Sequence, residues 1–469
     1  MKRTLITNGC IISMDPAIGD LATGDILIVG DRIAEIAPRI DAKADETIDA
    51  GGQIVLPGLI NAHIHSWQTA LRGLGGDWAG SDYFNFFHQT LAPRYAPEDT
   101  YIGTLVGALA QIDAGVTTIF DWCHNNATPA HTDAAIDALF ESGIRALFGH
   151  GTVKPKQKPG EPHFSQVPHP VAEIARLRKQ RLSGDDGLVT LAMAILGPDY
   201  STIEVCRQDF RLAREFDLLT SAHVWGRPNR LVSGGYRTLA GEGLLGEDHN
   251  LVHGNYIADD ELKVIVDHGA SVTSTAAVEL HFHVSEPLTG RVKRMGGFPS
   301  IAIDSEVAAR GDMFDVMRFA LRAQRLFDNQ ATVKRMEADG SASEFARRNQ
   351  PVGTGGSPIS QVSVKTREAL EWATLNNAKA MRLDHRIGTL TPGKQADLIL
   401  IRTDRPHMVS AQDPVQAVVY YAQGSDVDTV LIGGRIVKRD GHLLCDRWDQ
   451  HKAQLQASAK RLLDHDPMR

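Results

Sequence analysis

Five residues offer the chemistry that stands out in this chain: His63, His65, His223, His253 and Asp304. His63 and His65 close the run PGLINAHIH. Residues i and i+2 of a strand face the same way, so these two imidazoles are expected to point together, close enough to share one metal. His223 ends LLTSAH, His253 ends NLVH and Asp304 ends SIAID, each a short apolar run. Neutral imidazoles and a carboxylate suit zinc or ferrous iron and leave a coordination position for water. Histidine is plentiful, at 19 of 469 residues. The four cysteines (Cys10, Cys123, Cys206 and Cys445) are far apart and form no CxxC pair, so neither a thiolate zinc site nor a disulfide framework is expected.

The elements that must carry these residues follow from the alternation of apolar runs with helical patterns, which predicts βα units and a parallel sheet. Eight strands are expected: Leu56–His65, Val116–Trp122, Ile144–Val153, Val189–Gly197, Leu218–Trp225, Asn250–Tyr256, Ser271–Leu280 and Ser300–Ser305. Eight units of this size make a (β/α)8 barrel, whose active sites form at the C-terminal ends of the strands, where all five residues fall. Short strands also occupy both ends of the chain. The expected fold is therefore α/β: a TIM barrel over 56–385 and a small β-sandwich from 1–55 and 386–445. A surface helix over 446–469 follows. The polar GTGGSP region, 334–361, reads as a mobile loop.

Composition narrows the partners. With 49 Lys and Arg against 57 Asp and Glu, the net charge of −8 argues against nucleic acid and anionic membranes. No apolar run is long enough to span a bilayer, and the N-terminal MKRTLITNGC reads as a strand rather than a signal peptide. A cytoplasmic homo-oligomer with a small-molecule substrate is the expectation.

At this point the sequence resembles the amidohydrolase superfamily, in its cytosine-deaminase-like and triazine-hydrolase-like branch. The motifs that carry the resemblance are LPGLINAHIH, Arg72-Gly73, AGVTT at 114–118, the spaced His223, His253 and Asp304, and IGTLTPGKQADLILI at 387–401. The resemblance implies that His63, His65, His223 and Asp304 bind one divalent metal, zinc ahead of iron, and that His253 hydrogen-bonds the substrate or the attacking water. Some members hold two metals across a lysine on the fourth strand. Here that strand, VTLAMAILGPDYS, has none, and Lys154 and Lys156 are expected in a solvated loop.

One departure bears on activity. Many deaminases of this branch carry His-x-x-Glu on the fifth strand, whereas this chain reads His223-Val224-Trp225-Gly226. Glu279, expected at the end of the seventh strand, is the candidate carboxylate in its place, with His281 and His283 beside it. Trp67 and Gln68 directly follow the metal histidines and are the expected substrate contacts, ahead of Trp78, Tyr83, Phe84, Phe86 and Phe87; His124 and His150 are further candidates. The expected function is hydrolysis of a carbon–nitrogen bond in a small cyclic or aromatic amide, urea or carbamate, with Asp304, His253 and Glu279 catalytic. Alternatives are deamination of a purine, pyrimidine or pterin, and a catalytically silent scaffold.

Overall fold

The computed structural model describes residues 1–227, 230–283, 285–341 and 362–464. Eight parallel strands form one sheet in sequential order: Leu59–Ile64, Val116–Cys123, Arg145–Gly151, Val189–Ile195, Thr220–Val224, His249–His253, Ser271–Ser274 and Pro299–Ile301. Their near-continuous burial explains why they read as apolar runs. The sheet closes on itself at a bridge between Ile64 and Asp304. The amide of Asp304 donates to His63 O (3.0 Å) and that of His65 to Asp304 O (2.9 Å), so the seam of the barrel lies among the candidate ligands.

Strands from both ends of the chain build a second, mixed sheet of nine strands. Its N- and C-terminal parts join where Leu398–Arg402 runs antiparallel to Gln53–Pro57, with Leu400 opposite Val55. The segment expected as a single first strand is thus divided at Gly58 into a sheet strand and a barrel strand. A buried ion pair ties the two bodies together: Arg145 Nε lies 2.6 Å from Asp397 Oδ2 and Arg145 Nη2 lies 3.0 Å from Asp397 Oδ1. The C-terminal helix, Trp448–Leu463, packs on Pro97–Asp113, where Ser458 Oγ donates to Asp99 Oδ1 at 2.7 Å.

Two expectations change. The run Ser271–Leu280 is a strand only to Ser274; Ala276–Phe282 is helical, because Glu279 caps its own turn by accepting from the Thr275 amide at 2.7 Å. The start of the expected loop, 334–338, completes the helix Met313–Ala338, and 342–361 lies outside the described residues. No described helix is long and apolar enough to cross a membrane.

Candidate active site

His63, His65, His223 and Asp304 converge at the barrel mouth, with their ligand atoms within 4.8 Å of one another. His223 Nε2 stands 3.2 Å from His63 Nε2 and 3.3 Å from His65 Nε2. Asp304 Oδ1 stands 3.3 Å from each of the latter two nitrogens. Ligands roughly 2.0–2.1 Å from a tetrahedral ion lie about 3.3–3.4 Å apart, so the donor set fits one divalent metal. The tautomer agrees as well. His65 Nδ1 is 2.7 Å from the carbonyl oxygen of Trp122, which only accepts, so Nδ1 carries the proton and Nε2 presents its lone pair.

The electrostatics favour the same protonation states. Burial pushes the pKa of His63 down to about 3 and that of His223 well below the ordinary range. Burial alone would raise Asp304, but the His63, His65 and His253 imidazoles gathered around it hold it well below the usual carboxylate range. Asp304 (φ +75°) and His253 (φ +69°) both occupy the left-handed region. Such strain costs about 1–3 kcal/mol and persists only where surrounding contacts enforce it, here the seam bonds of Asp304.

His253 stands beside this group, its Nε2 3.8 Å from Asp304 Oδ2. Its Nδ1 lies 3.0 Å from Thr275 Oγ1 and 3.4 Å from Glu279 Oε1. Burial opposes a charge on His253, yet the hydrogen bond and charge of Glu279, with the charge of Asp304, outweigh it and raise its pKa. Glu279 is itself fixed by Ser274 Oγ (2.7 Å), the Thr275 amide (2.7 Å) and Asn255 Nδ2 (3.3 Å). Burial would raise its pKa, but the bonds from His253, Ser274 and Thr275 lower it. Glu279 therefore sits behind His253, off the cavity wall, rather than projecting into the mouth from a strand end.

A cavity of about 630 Å³ opens over the group. His65, His223, His253 and Asp304 lie at its polar end, with Tyr83, Phe84, Trp225 and Phe282 among its walls. His124 and His283 reach it as well, but Trp67, Gln68, His150 and His281 do not. Trp67 is fully buried against Phe87, Tyr95 and His124, because the turn Ser66–Leu71 aims it inward. Gln68 supports the wall from behind, donating to Tyr83 Oη (2.7 Å) and accepting from Ser305 Oγ (2.6 Å). His150 pairs with His169, Nδ1 to Nε2 at 3.1 Å, away from the cavity. His281 lies exposed, its Nε2 3.0 Å from Trp78 O.

Several polar wall residues are not marked as site residues by the sequence. Asp199 and Tyr200 directly follow the fourth strand, a position that signals the site. His88 lies 3.2 Å from His124, between Nε2 atoms, and nothing in its spacing marks it. Lys154 is not in a solvated loop: it is 7% exposed, lines the cavity, and burial lowers its pKa to about 7.

Gly226 has φ +72°, and its amide and that of Trp225 donate to Asp199 Oδ2 at 2.9 and 2.7 Å. The loop therefore turns away where a His-x-x-Glu motif would place a carboxylate.

The profile of the Amidohydrolase family matches residues 54–348 and 349–437. Among curated proteins, a 5-methylthioadenosine/S-adenosylhomocysteine deaminase of Pyrococcus furiosus is 26% identical over 447 residues, covering 94% of this chain and 96% of its own. A 5'-deoxyadenosine deaminase of Methanothermobacter thermautotrophicus is 25% identical over 448 residues, covering 93% and 95%. Among solved structures, a zinc-bound adenosine deaminase from Xanthomonas campestris aligns with TM-score 0.79 at 19% identity, covering 98% of each chain. A zinc complex of atrazine chlorohydrolase from Arthrobacter aurescens aligns with TM-score 0.80 at 19% identity, covering 97% of this chain and 100% of its own.

Proposed function

The chain belongs to the amidohydrolase family, and on that premise we propose that it is an aminohydrolase that removes an exocyclic amine from an sp2 carbon of a flat nitrogen heterocycle, releasing ammonia. The observation that carries the proposal is the convergence of His63, His65, His223 and Asp304 beneath an aromatic-walled cavity. The relatives shift the ranking of substrates. Amide, urea and carbamate bonds led the sequence reading, whereas the relatives matched over nearly the whole chain are deaminases of adenosine-type compounds.

The four side chains would hold one divalent ion, and zinc is our assignment, in keeping with the zinc-bound neighbours. When bound, such an ion supplies Lewis acidity and lowers the pKa of a water toward about 7. The chain's own groups do the rest. Asp304, kept ionised, accepts a proton from the attacking water and passes it to the leaving amine. His253, whose pKa Glu279 raises, donates from Nε2 to the oxygen that joins the reacting carbon and so stabilises the negative charge developing there. Tyr83, Phe84, Trp225 and Phe282 hold a flat ring and exclude water.

Gly226 favours a second reading, hydrolysis of an amide-, urea- or carbamate-type bond, which needs no carboxylate at that position. Ammonia release from aminated purines, pyrimidines, pterins and triazines, measured beside cyclic amides, ureas and carbamates, separates the two. Turnover of the aminated set supports deamination; turnover of the other set alone replaces it with the second reading.

A further inference from the structure

We propose that Lys154 is a specificity-determining residue whose ammonium group receives an anionic oxygen substituent, such as a ring-borne carboxylate, on the substrate. This rests on the reading of the cavity as the substrate site.

Lys154 is buried on the cavity wall between the faces of Trp122 and Tyr200. Its Nζ lies 5.7 Å from the first ring centroid and 5.6 Å from the second. These faces attract a cation, but they accept none of its three N–H bonds in the way an oxygen does. Lys154 makes no hydrogen bond or ion pair with any described residue. Neither of the two carboxylates on the wall pairs with Lys154: Asp199 Oδ2 accepts the amides of Trp225 and Gly226 and its Oδ1 lies 3.7 Å from Arg230 Nη1, and Asp304 faces the histidines. Burial is the one influence resolved on its pKa, which agrees with the lack of a neighbouring anion.

An ammonium buried without a counter-charge is costly, and lysine is easily exchanged for an apolar side chain of similar length. In a cavity beside a reaction centre, the missing partner is naturally a ligand group. The other cations on the wall are less free to serve. Arg230 pairs with Glu261, and Arg227, exposed at the rim, stacks over Trp225 and Tyr256. Aromatic walls on one side and a lone ammonium on the other describe a flat ring bearing one negative charge.

The test is equilibrium binding of two small probes, benzoate and the uncharged benzamide, to the full-length, metal-loaded protein and to Lys154→Met and Lys154→Gln. The metal is common to all three, so the comparison isolates Lys154. The wild type should prefer benzoate by about tenfold or more, in line with a charge-assisted hydrogen bond. Both variants should lose most of that preference while keeping their metal content and their affinity for benzamide. No benzoate preference in the wild type, or an undiminished one in the variants, overturns the proposal. Binding is read without turnover, so a failed ammonia assay would defeat the deaminase reading and leave this result standing.

Discussion

A Cβ added to Gly226 would fall 2.4 Å from the amide nitrogen of Ile257 and 2.6 Å from its Cα. The loop after the fifth strand therefore packs directly on the turn after the sixth, and Gly226 adopts a φ of +72° that a side chain would strain. Gly226→Glu should lower stability by about 2–4 kcal/mol through clash and strain. It should not create a His-x-x-Glu deaminase. Chemical denaturation measures the first effect and ammonia release the second; a variant as stable as wild type with faster turnover would contradict this account of the loop.

Asp304→Asn should abolish turnover while leaving the chain folded. Asparagine tolerates the left-handed backbone that Asp304 adopts, so the seam of the barrel should survive. The amide cannot carry the water's proton, and a loss of at least about 10³-fold is expected. Circular dichroism and steady-state rates check the two halves separately, and a rate near wild type would refute the role.

Glu279 acts through His253, so Glu279→Gln should leave substrate affinity little changed and lower kcat by about 10–100-fold. The pH profile carries the sharper signature. Glu279 raises the pKa of His253, so activity that needs the imidazolium is present at lower pH and lost as pH rises through that pKa. Removing the carboxylate lowers this pKa and should move the alkaline limb to lower pH. A lower rate with an unmoved limb would reduce Glu279 to a structural support.

Lys154 also marks the pH dependence of stability. Its pKa falls from about 10.5 in the unfolded chain to about 7 in the folded one. Between these values the unfolded chain holds more protons, so wild-type stability gains from rising pH. Lys154→Met lacks this term. Its advantage over the wild type should be largest below pH 7 and shrink toward about pH 10. His88, His124 and His223, the titratable neighbours that sense Lys154, stay neutral across that window in both proteins. Urea unfolding across the range measures the gap; a gap that does not change with pH would contradict the burial of a titrating lysine.

What the sequence revealed and what it hid have separate physical causes. His63 and His65 were legible because strand periodicity alone puts them on one face. The eight strands were legible because burial on both sides leaves apolar runs, and the two-ended sheet because short strands flank those runs. Glu279 was misplaced because AAVELHFH continues an apolar run, and only the capping contact with Thr275 turns it into a helix. His150 was overrated because it pairs with His169, which the sequence cannot place beside it. Trp67 and Gln68 stand out in the sequence over Tyr83 and Phe84, yet adjacency to a candidate ligand says nothing about which way the next helical turn points. Lys154 looks solvated in the sequence because its cover comes from elsewhere, Trp122 from the second strand and Tyr200 from the turn after the fourth.

Metal-dependent deamination is tested by ammonia release from aminated purines, pyrimidines, pterins and triazines by the protein after chelation and again after reloading with one equivalent of zinc. At least one aminated heterocycle should be turned over, the rate should collapse on chelation, and zinc should restore it in the wild type but not in His63→Ala. Ammonia release indifferent to chelation, or none from any aminated heterocycle by the zinc-loaded protein, would contradict metal-dependent deamination.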